Sequence, residues 1–510
     1  MRSTFHGLEV AKSSLLTQQA ALNTTGHNIA NANTEGYSRQ TVNMTAARSL
    51  EAFGMSRSNT PGQIGMGVEF DSITRIREQF LDDQFRGENK NLGDWSVRAD
   101  TLSKLEGIVN EPSDSGFRTV LEKFWSSWSD LSKDPENESA RKIVRETASA
   151  LTDALNHTSK QLSDLSGSLT QDIDVKLSDV NSKLSMISSL NQAIQRVESL
   201  GDDANDLRDQ RDLLTDQISK AINITVTDTP QGYNISMGNA SLLQGTAVVP
   251  LTAAAAANAM NSGDLNAGEI HGLFVSRDQY VADYSRQLDT LANTLANGPF
   301  QVTIPAGSVL PGQTVPLAAD TVMTVNGING LHKLGYTLKD PATAGLDFFT
   351  AGSPGGVITA GNIQLNAAIA ADDSLIAASM RTETTSGGTT VIKGNNTLAL
   401  LMADAGNAVM TIDQTASGKG IANATLGDFY QSIVGALGVQ SGEASRQTDN
   451  AQDLVDQADS RRASVSGVSL DEEMSNLIKF QHAYSAAARF MTTFDQVLDK
   501  LINGTGQVGR

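Results

Sequence analysis

Between residues 470 and 501, apolar side chains return every seventh residue in two registers. Leu470, Leu477, Tyr484, Met491 and Leu498 form one series, and Phe480, Ala487, Phe494 and Leu501 form the second, three positions on. Two filled seams sustained over about four heptads predict a helix that packs lengthwise on another helix. A bundle helix lying on a local core would show the same spacing, but the filling of both seams favours a coiled coil. Ser469-Leu470-Asp471-Glu472 matches a capping box at its start, and Asn503-Gly504 ends it.

The other end of the chain carries a thinner version of the same signal. Leu8, Leu15, Leu22 and Ile29 fall seven apart, while the positions three residues on are Ala11, Gln18 and Thr25. An amphipathic helix on a local core and a coiled coil explain this seam equally well. The helix should stop in Asn28-Ile29-Ala30-Asn31-Ala32-Asn33-Thr34-Glu35-Gly36-Tyr37, because Asn and Gly tolerate left-handed backbone. A lone helix with one thin seam is marginal in water. Each seam leucine contributes about 1.5–3 kcal/mol only if something covers it. The two terminal helices are therefore expected to pair within a chain and to pack on further copies. Without those copies, the same segments are expected to fray. A head-to-tail contact that does not close yields a tube. The candidate assembly residues are Leu8, Leu15, Leu22, Asn28, Ile29, Asn31, Asn33, Gly36 and Tyr37 at one end. At the other they are Leu470, Leu477, Phe480, Tyr484, Met491, Phe494, Leu498 and Leu501.

Charge supports this division. The net charge is −19, and residues 1–40 and 465–510 are each within one unit of neutral, so the acidity sits in the middle. Nearly neutral ends can approach like copies, and an acidic middle suits a solvated exterior. The same balance argues against nucleic acid or an anionic membrane surface as partner. Aromatics are only 5% of residues, so cores must be mostly aliphatic. With no cysteine, disulfides and thiolate metal sites are excluded. The first 30 residues contain no apolar core of a secretory signal, and no run is long enough for membrane insertion.

Between the ends, the apolar period changes several times. Residues 41–79 read as strands and turns, punctuated by Pro61-Gly62 and Gly65-Met66-Gly67. A helical block follows over 80–220, with Phe117, Val120, Leu121, Phe124, Trp128 and Leu131 on one face. Trp125 and Trp128 read as core or groove anchors. Asp134-Pro135 predicts an N-cap and first helical residue. From Leu162, steps of three or four residues predict a helix of about 40 residues, roughly 60 Å long. Ile222, Ile224 and Val226, then Gly232, then Tyr233, Ile235 and Met237 predict a hairpin, and 273–297 returns to helix. The run Asp202 to Asp212 superficially suggests a calcium loop. It lacks the Gly and bidentate Glu of such a loop, so alternating charges on a helix face are the better explanation.

The expected fold class is α+β and multidomain, with terminal helices forming a coiled coil, a long helical bundle in the first half and a β-rich outer module in the middle. The expected segments are 1–40 (axial helix and turn), 41–79 (short β-rich), 80–220 (helical bundle) and 221–297 (hairpin plus helix). They continue with 298–425 (β-rich outer module), 426–464 (return helices) and 465–510 (C-terminal axial helix). No histidine pair, phosphate loop or nucleophile elbow is present. The expectation is a non-enzyme without cofactor or metal. An enzyme carried in 298–425 would need clustered His, Asp or Glu, and the only histidine there is His332. An adhesin role for that module stays open.

Asn28 to Thr34 followed by Gly36-Tyr37 resembles the N-terminal motif of flagellar rod, hook and hook-associated proteins. Gly467-Val468-Ser469-Leu470-Asp471-Glu472-Glu473, then Gln481-His482-Ala483-Tyr484, Ala488-Arg489 and Asp495, resembles their C-terminal motif. Gln79 to Arg86, Phe124-Trp125 with Pro135 and Arg141, and Asn205-Asp206-Leu207 with Asp209, Arg211 and Asp212 are similar to the hook-associated branch. The resemblance implies a structural subunit of the bacterial flagellum that forms the junction ring between hook and filament by self-association. It implies secretion by the flagellar type III export route, with an export chaperone on the C-terminal helix. The neighbours it implies are the hook protein, the second junction protein and, at times, the filament cap. It further implies that the terminal helices form an inner tube. Another axial subunit, such as a hook or distal rod protein, is the alternative, and the 80–220 helical block argues against it.

Overall fold

The computed structural model describes residues 5–48, 65–110, 116–353, 355–385, 388–413 and 421–504. Pro61-Gly62 lies outside the described residues. The chain forms two compact units, each assembled from discontinuous segments: Met1–Asp94, Val175–His271 and Asp449–Arg510 in the first, and Trp95–Asp174 and Gly272–Thr448 in the second. Long helices dominate, the sheets are small, and the architecture is α+β and multidomain, as expected.

Five helices precede the first large sheet: α1 (His6–Ala30), α2 (Gln79–Val109), α3 (Phe117–Lys133), α4 (Glu138–Glu198) and α5 (Asn205–Ala221). Strands β1 (Gln40–Ala46) and β2 (Val68–Arg75) form an antiparallel pair between α1 and α2, with an irregularity at Asn43/Met44. The α4 helix is 61 residues long and begins well before Leu162, where the sequence pattern became regular. Its N-cap differs from expectation. Asp134-Pro135 forms a turn, and Asn137 caps the helix by accepting from the backbone N–H groups of Ser139 (2.9 Å) and Ala140 (3.2 Å). Three residues separate the expected start from the real one because two side chains, not one, could satisfy the free amides of a first turn.

The predicted hairpin is present as β3 (Thr225–Thr229) and β4 (Gly232–Met237), with Ile235 and Met237 buried. It extends into a four-stranded antiparallel sheet through β5 (Ala240–Gln244) and β6 (Ala247–Val248). Gly232 has φ +105°, which opens the turn without a Cβ, and a Cβ there would also strike Asn191. Next come α6 (Ala253–Ser262) and α7 (Glu269–Val275), a π-helical turn over Ser276–Val281, and α8 (Ala282–Asn297).

Region 298–425 consists of short pieces around an apolar centre. Antiparallel pairs β7 (Pro299–Ile304) with β8 (Thr321–Asn326), β9 (Phe349–Ala351) with β10 (Ile363–Leu365), β11 (Thr382–Thr385) with β12 (Gly388–Val391), and β13 (Met410–Thr411) with β14 (Asn423–Ala424) alternate with α9 (Gly327–His332), α10 (Ala367–Ala371) and α11 (Thr397–Asp404). The core of the second unit contains an aromatic cluster: Phe124 and Trp128 from α3 meet Phe348 and Phe349, and the His332 ring packs on Phe348. His332 is fully enclosed, and burial pushes it down to about 4, so it stays neutral. Its Nε2 accepts from Ala377 N–H at 2.8 Å. Arg141 is clamped between the carbonyls of Pro135 and Ile376, and burial without a paired carboxylate pushes it down to about 10. Trp128 is fully buried, as its helical spacing predicted, while Trp125 stacks on Gly406.

The chain closes with α12 (Leu426–Ser466) and α13 (Leu470–Gly504). Phe348→Ala removes the ring that touches Phe124, Trp128, Phe349 and His332. It is expected to cost about 3–5 kcal/mol of stability, measured by urea unfolding of the full chain; a loss below about 1 kcal/mol would show that this aromatic cluster does not anchor the second unit.

Candidate functional site

The first and last helices lie together in the first unit, antiparallel. At one end a Cβ added to Gly7 would overlap the Phe494 ring, so only glycine lets the helices approach there. At the other end Asn28 Nδ2 donates to Glu473 Oε2 at 3.1 Å. The step from Gly7 to Asn28 along α1 equals the step from Phe494 back to Glu473 along α13, so the two helices keep one register throughout.

What α1 buries differs from the expected seam. Its enclosed residues are Ala11, Thr17, Ala21, Thr24, Thr25 and Asn28, a stripe of small and polar side chains. Leu8, Leu15, Leu22 and Ile29 lie on the flank of that stripe and are only half-buried. Small residues let α1 sit close to β2 and α13, and Ser13 Oγ donates to the Val68 carbonyl. The leucine heptad was the visible signal, but the close packing follows the residues with least bulk.

The α13 seam is likewise half covered. Leu498 and Ala487 are buried, while Leu477, Phe480, Met491 and Phe494 are half-buried. Leu470 (50%), Tyr484 and Leu501 are exposed, and so are Ile478 (51%) and Val497 (50%), which the heptad reading did not include. Both terminal helices are thus formed and paired in the single chain, with apolar flanks left open.

The Asn-rich turn is a polar knot. Asn28 Oδ1 accepts from Gln40 N–H (3.0 Å) and from the Tyr37 hydroxyl (2.7 Å), while Asn28 Nδ2 also donates to the Gln40 carbonyl (2.9 Å). One buried amide thereby saturates a strand edge and reaches the last helix. Burial, with Asp206, Asp209 and Glu473 nearby, raises the Tyr37 phenol, keeping it a neutral donor. Gly36 has φ +78° and lies against Leu213. Asn31 is half-buried and bonds back to His27, whereas Asn33 is exposed. Arg39 pairs with Glu473 (2.8 Å) and Glu472 (2.7 Å). Glu472 therefore turns to Arg39 instead of closing the expected capping box, and Ser469 Oγ receives the Glu472 N–H at 3.5 Å.

Beneath the knot lies a set of residues that sequence reasoning assigned to the surface. Asp209, Arg211, Asp212 and, beyond them, Asp216 on α5 are buried, so only Asp202, Asp203 and Asp206 of the expected charged face are exposed to solvent. Arg75 Nη1 reaches Asp209 (2.6 Å) and Asp212 (2.9 Å); Arg77 holds Asp82 (2.7 Å); Arg86 and Arg462 hold the two oxygens of Asp216 (2.7 and 2.5 Å). Ser38 N–H donates to Asp209 (2.9 Å), which ties the cluster to the turn. Tyr233 donates to Asp212 at 2.5 Å. Burial by itself would raise the Asp212 carboxyl; Arg77, Arg75 and Arg86 outweigh it and hold the group down at about 2. The arginines come from β2, the β2–α2 link, α2 and α12. Local spacing could not show that they converge, although the alternation of Asp and Arg every few residues was the signal.

Asp212→Asn leaves three arginines facing a neutral amide and is expected to cost about 3–5 kcal/mol at pH 7. The folded carboxyl lies below its ordinary 3.8, so its stabilisation is present above that pH and is lost as pH falls towards about 2. Wild type should therefore lose stability across that window, measured by chemical denaturation, and the variant should lose less; equal acid limbs would refute the assignment.

Comparison with known proteins places this arrangement. The family described as "Flagellar hook-associated protein FlgK helical domain" matches residues 102–299. "Flagella basal body rod protein" matches 8–37, and "Flagellar basal body rod FlgEFG protein C-terminal" matches 443–504, which are the two helices of the antiparallel pair with part of α12. Flagellar hook-associated protein 1 of Bacillus subtilis is 34% identical over the full length of both chains. The Escherichia coli protein of that name is 27% identical, over 97% of this chain and 98% of its own. The solved flagellar hook junction protein FlgK from Burkholderia pseudomallei shares the fold, with a TM-score of 0.52 over 75% of this chain and 100% of its own at 15% identity. No helix among the described residues is long and apolar enough to cross a membrane. With a relative this similar from end to end, the chain belongs to the flagellar hook-associated protein 1 family.

Proposed function

We propose that this chain is a structural subunit of the bacterial flagellum at the junction between hook and filament, and that it assembles through α1 and α13. The observation that carries the reading is the antiparallel terminal pair whose apolar flanks stay open in the single chain. Leu470, Ile478 and Val497 are each about half exposed along one helix, and Met474, Phe490, Leu501 and Ile502 are exposed on it as well, an apolar surface of the kind that marks an interaction site. Covering such residues is worth about 1.5–3 kcal/mol each, so stacked copies gain what one copy leaves unused. Leu8, Leu15, Leu22 and Ile29, half-buried beside the small-residue stripe, supply the complementary flank. Asn28, Gly36 and Tyr37 hold the turn that orients α1 and would act through it.

Membership of the hook-associated family, and not the packing, supports the choice of neighbours. Copies of this chain form the ring; the hook protein lies on one side and the second junction protein on the other, with the filament cap as a transient neighbour. An open apolar flank on the last helix suits an export chaperone before assembly, and flagellar export without cleavage would deliver the chain to the outside. The role is packing, with no catalytic step.

Removing 465–510 should leave hooks intact and filaments missing, seen by electron microscopy of cells that carry only the truncated chain. Normal filaments on such hooks would defeat the proposal. Ile478→Glu and Val497→Glu should change monomer stability by under about 0.5 kcal/mol because the positions are exposed, yet should block incorporation at the junction. Hydrogen exchange of the free chain should show α1 and α13 opening faster than the buried middle of α4, with protection gained on assembly; equal protection before assembly would count against open flanks.

A further inference from the structure

Arg211 is the one arginine of the α5 cluster whose charge is poorly answered. Its side chain is 1% exposed. The guanidinium lies over the Tyr233 ring, 3.4 Å from the centroid, and Nη1 donates to Asn191 Oδ1 at 3.1 Å. The remaining edge, Nε with Nη2, has no hydrogen-bond acceptor among the described residues. That edge is the one by which an arginine grips a carboxylate through two parallel bonds. Burial pushes Arg211 below the ordinary arginine range, whereas carboxylates at close range raise Arg77 and Arg86 despite their burial. An enclosed cation with two unused donors is costly, so such an edge calls for an acceptor.

Arg211 lines a cleft of about 300 Å³ between the end of α4, α5 and the β3–β4 turn. The other arginine of the cleft, Arg208, is already held by both oxygens of Glu198, at 2.6 and 2.9 Å. Asp228 is different. It stands 3.9 Å from Arg211 Nη2 and 3.7 Å from Arg208 Nη1, too far for a hydrogen bond to either, and is 45% exposed. The lining holds Arg208 and Arg211 against Glu198 and Asp228, so its charges cancel. A neutral lining with one unanswered guanidinium edge suits a single negative charge better than a doubly charged phosphate.

We propose that this cleft binds one carboxylate, seated on Nε and Nη2 of Arg211, with Asp228 turning outward to admit it. Two sources share that chemistry: a free small carboxylate, or an acidic side chain of another copy of this chain. The probe is acetate, titrated into the full chain against chloride at matched ionic strength and read by thermal unfolding. Acetate should raise the wild-type Tm above the chloride control. Asp228→Asn removes the competing carboxylate and should bring the half-maximal shift to about tenfold less acetate. Arg211→Lys lacks the fork and should show no acetate-specific shift, whatever its own Tm. Sedimentation separates the sources: self-association that acetate reverses and Arg211→Lys abolishes identifies a side chain from another copy, and a monomer throughout identifies a free carboxylate. If wild type and Asp228→Asn both respond to acetate as to chloride, the proposal is overturned. It is overturned equally if Arg211→Lys responds to acetate as wild type does.

Discussion

A buried carboxylate close to the end of the chain holds its beginning. Glu473 receives Asn28 on one oxygen and Arg39 on the other, and Asn28 in turn closes both backbone groups of Gln40. Enclosed polar atoms tolerate little error in position, because an unmatched partner costs more than a matched one returns. This knot therefore sets the register of α1 on α13, and the overlap-free passage of Phe494 over Gly7 keeps that register at the far end. Apolar seams by themselves slide more easily, since burial has no direction.

The knot rests on the ion cluster of α5. Arg75 and Arg77 at and just past the end of β2, Arg86 on α2 and Arg462 on α12 reach Asp82, Asp209, Asp212 and Asp216, and Ser38 and Tyr233 complete the carboxylates. Such a cluster adds little net stability over an apolar core of equal volume, but losing one member strands the rest. Its use here is geometrical. It holds the turn after α1, the start of α2, the length of α5 and the end of α12 in one arrangement, and so fixes the turn to which the terminal pair is tied.

A polymer subunit cannot satisfy its own seams completely. In this chain the division is made by side-chain size: α1 turns its small residues toward β2 and α13 and leaves its leucines on the flank. Small residues permit a close, specific contact within the copy, and large ones stand where, in the proposed assembly, another copy would cover them. In the proposed assembly the same helix would serve two partners through two faces, and the neutrality of both ends would remove the repulsion that a net charge of −19 otherwise imposes on stacking.

Much of this was legible beforehand. Heptads at both ends, the Asn-rich stop, the alternation around Gly232 and the resemblance of the two terminal motifs led to paired helices, a hairpin and the flagellar axial proteins, because period and turn chemistry are local properties. The sequence by itself determined that both ends and most of 80–220 are helical and that both ends carry apolar stripes. Only the tertiary structure decided that Ala11, Ala21 and Asn28 face inward in place of the leucines, that Asn137 caps α4, and that Asp209 and Asp212 lie buried among distant arginines. The physical reason is that burial and charge pairing depend on which remote residues arrive at a site, and no local spacing records their arrival.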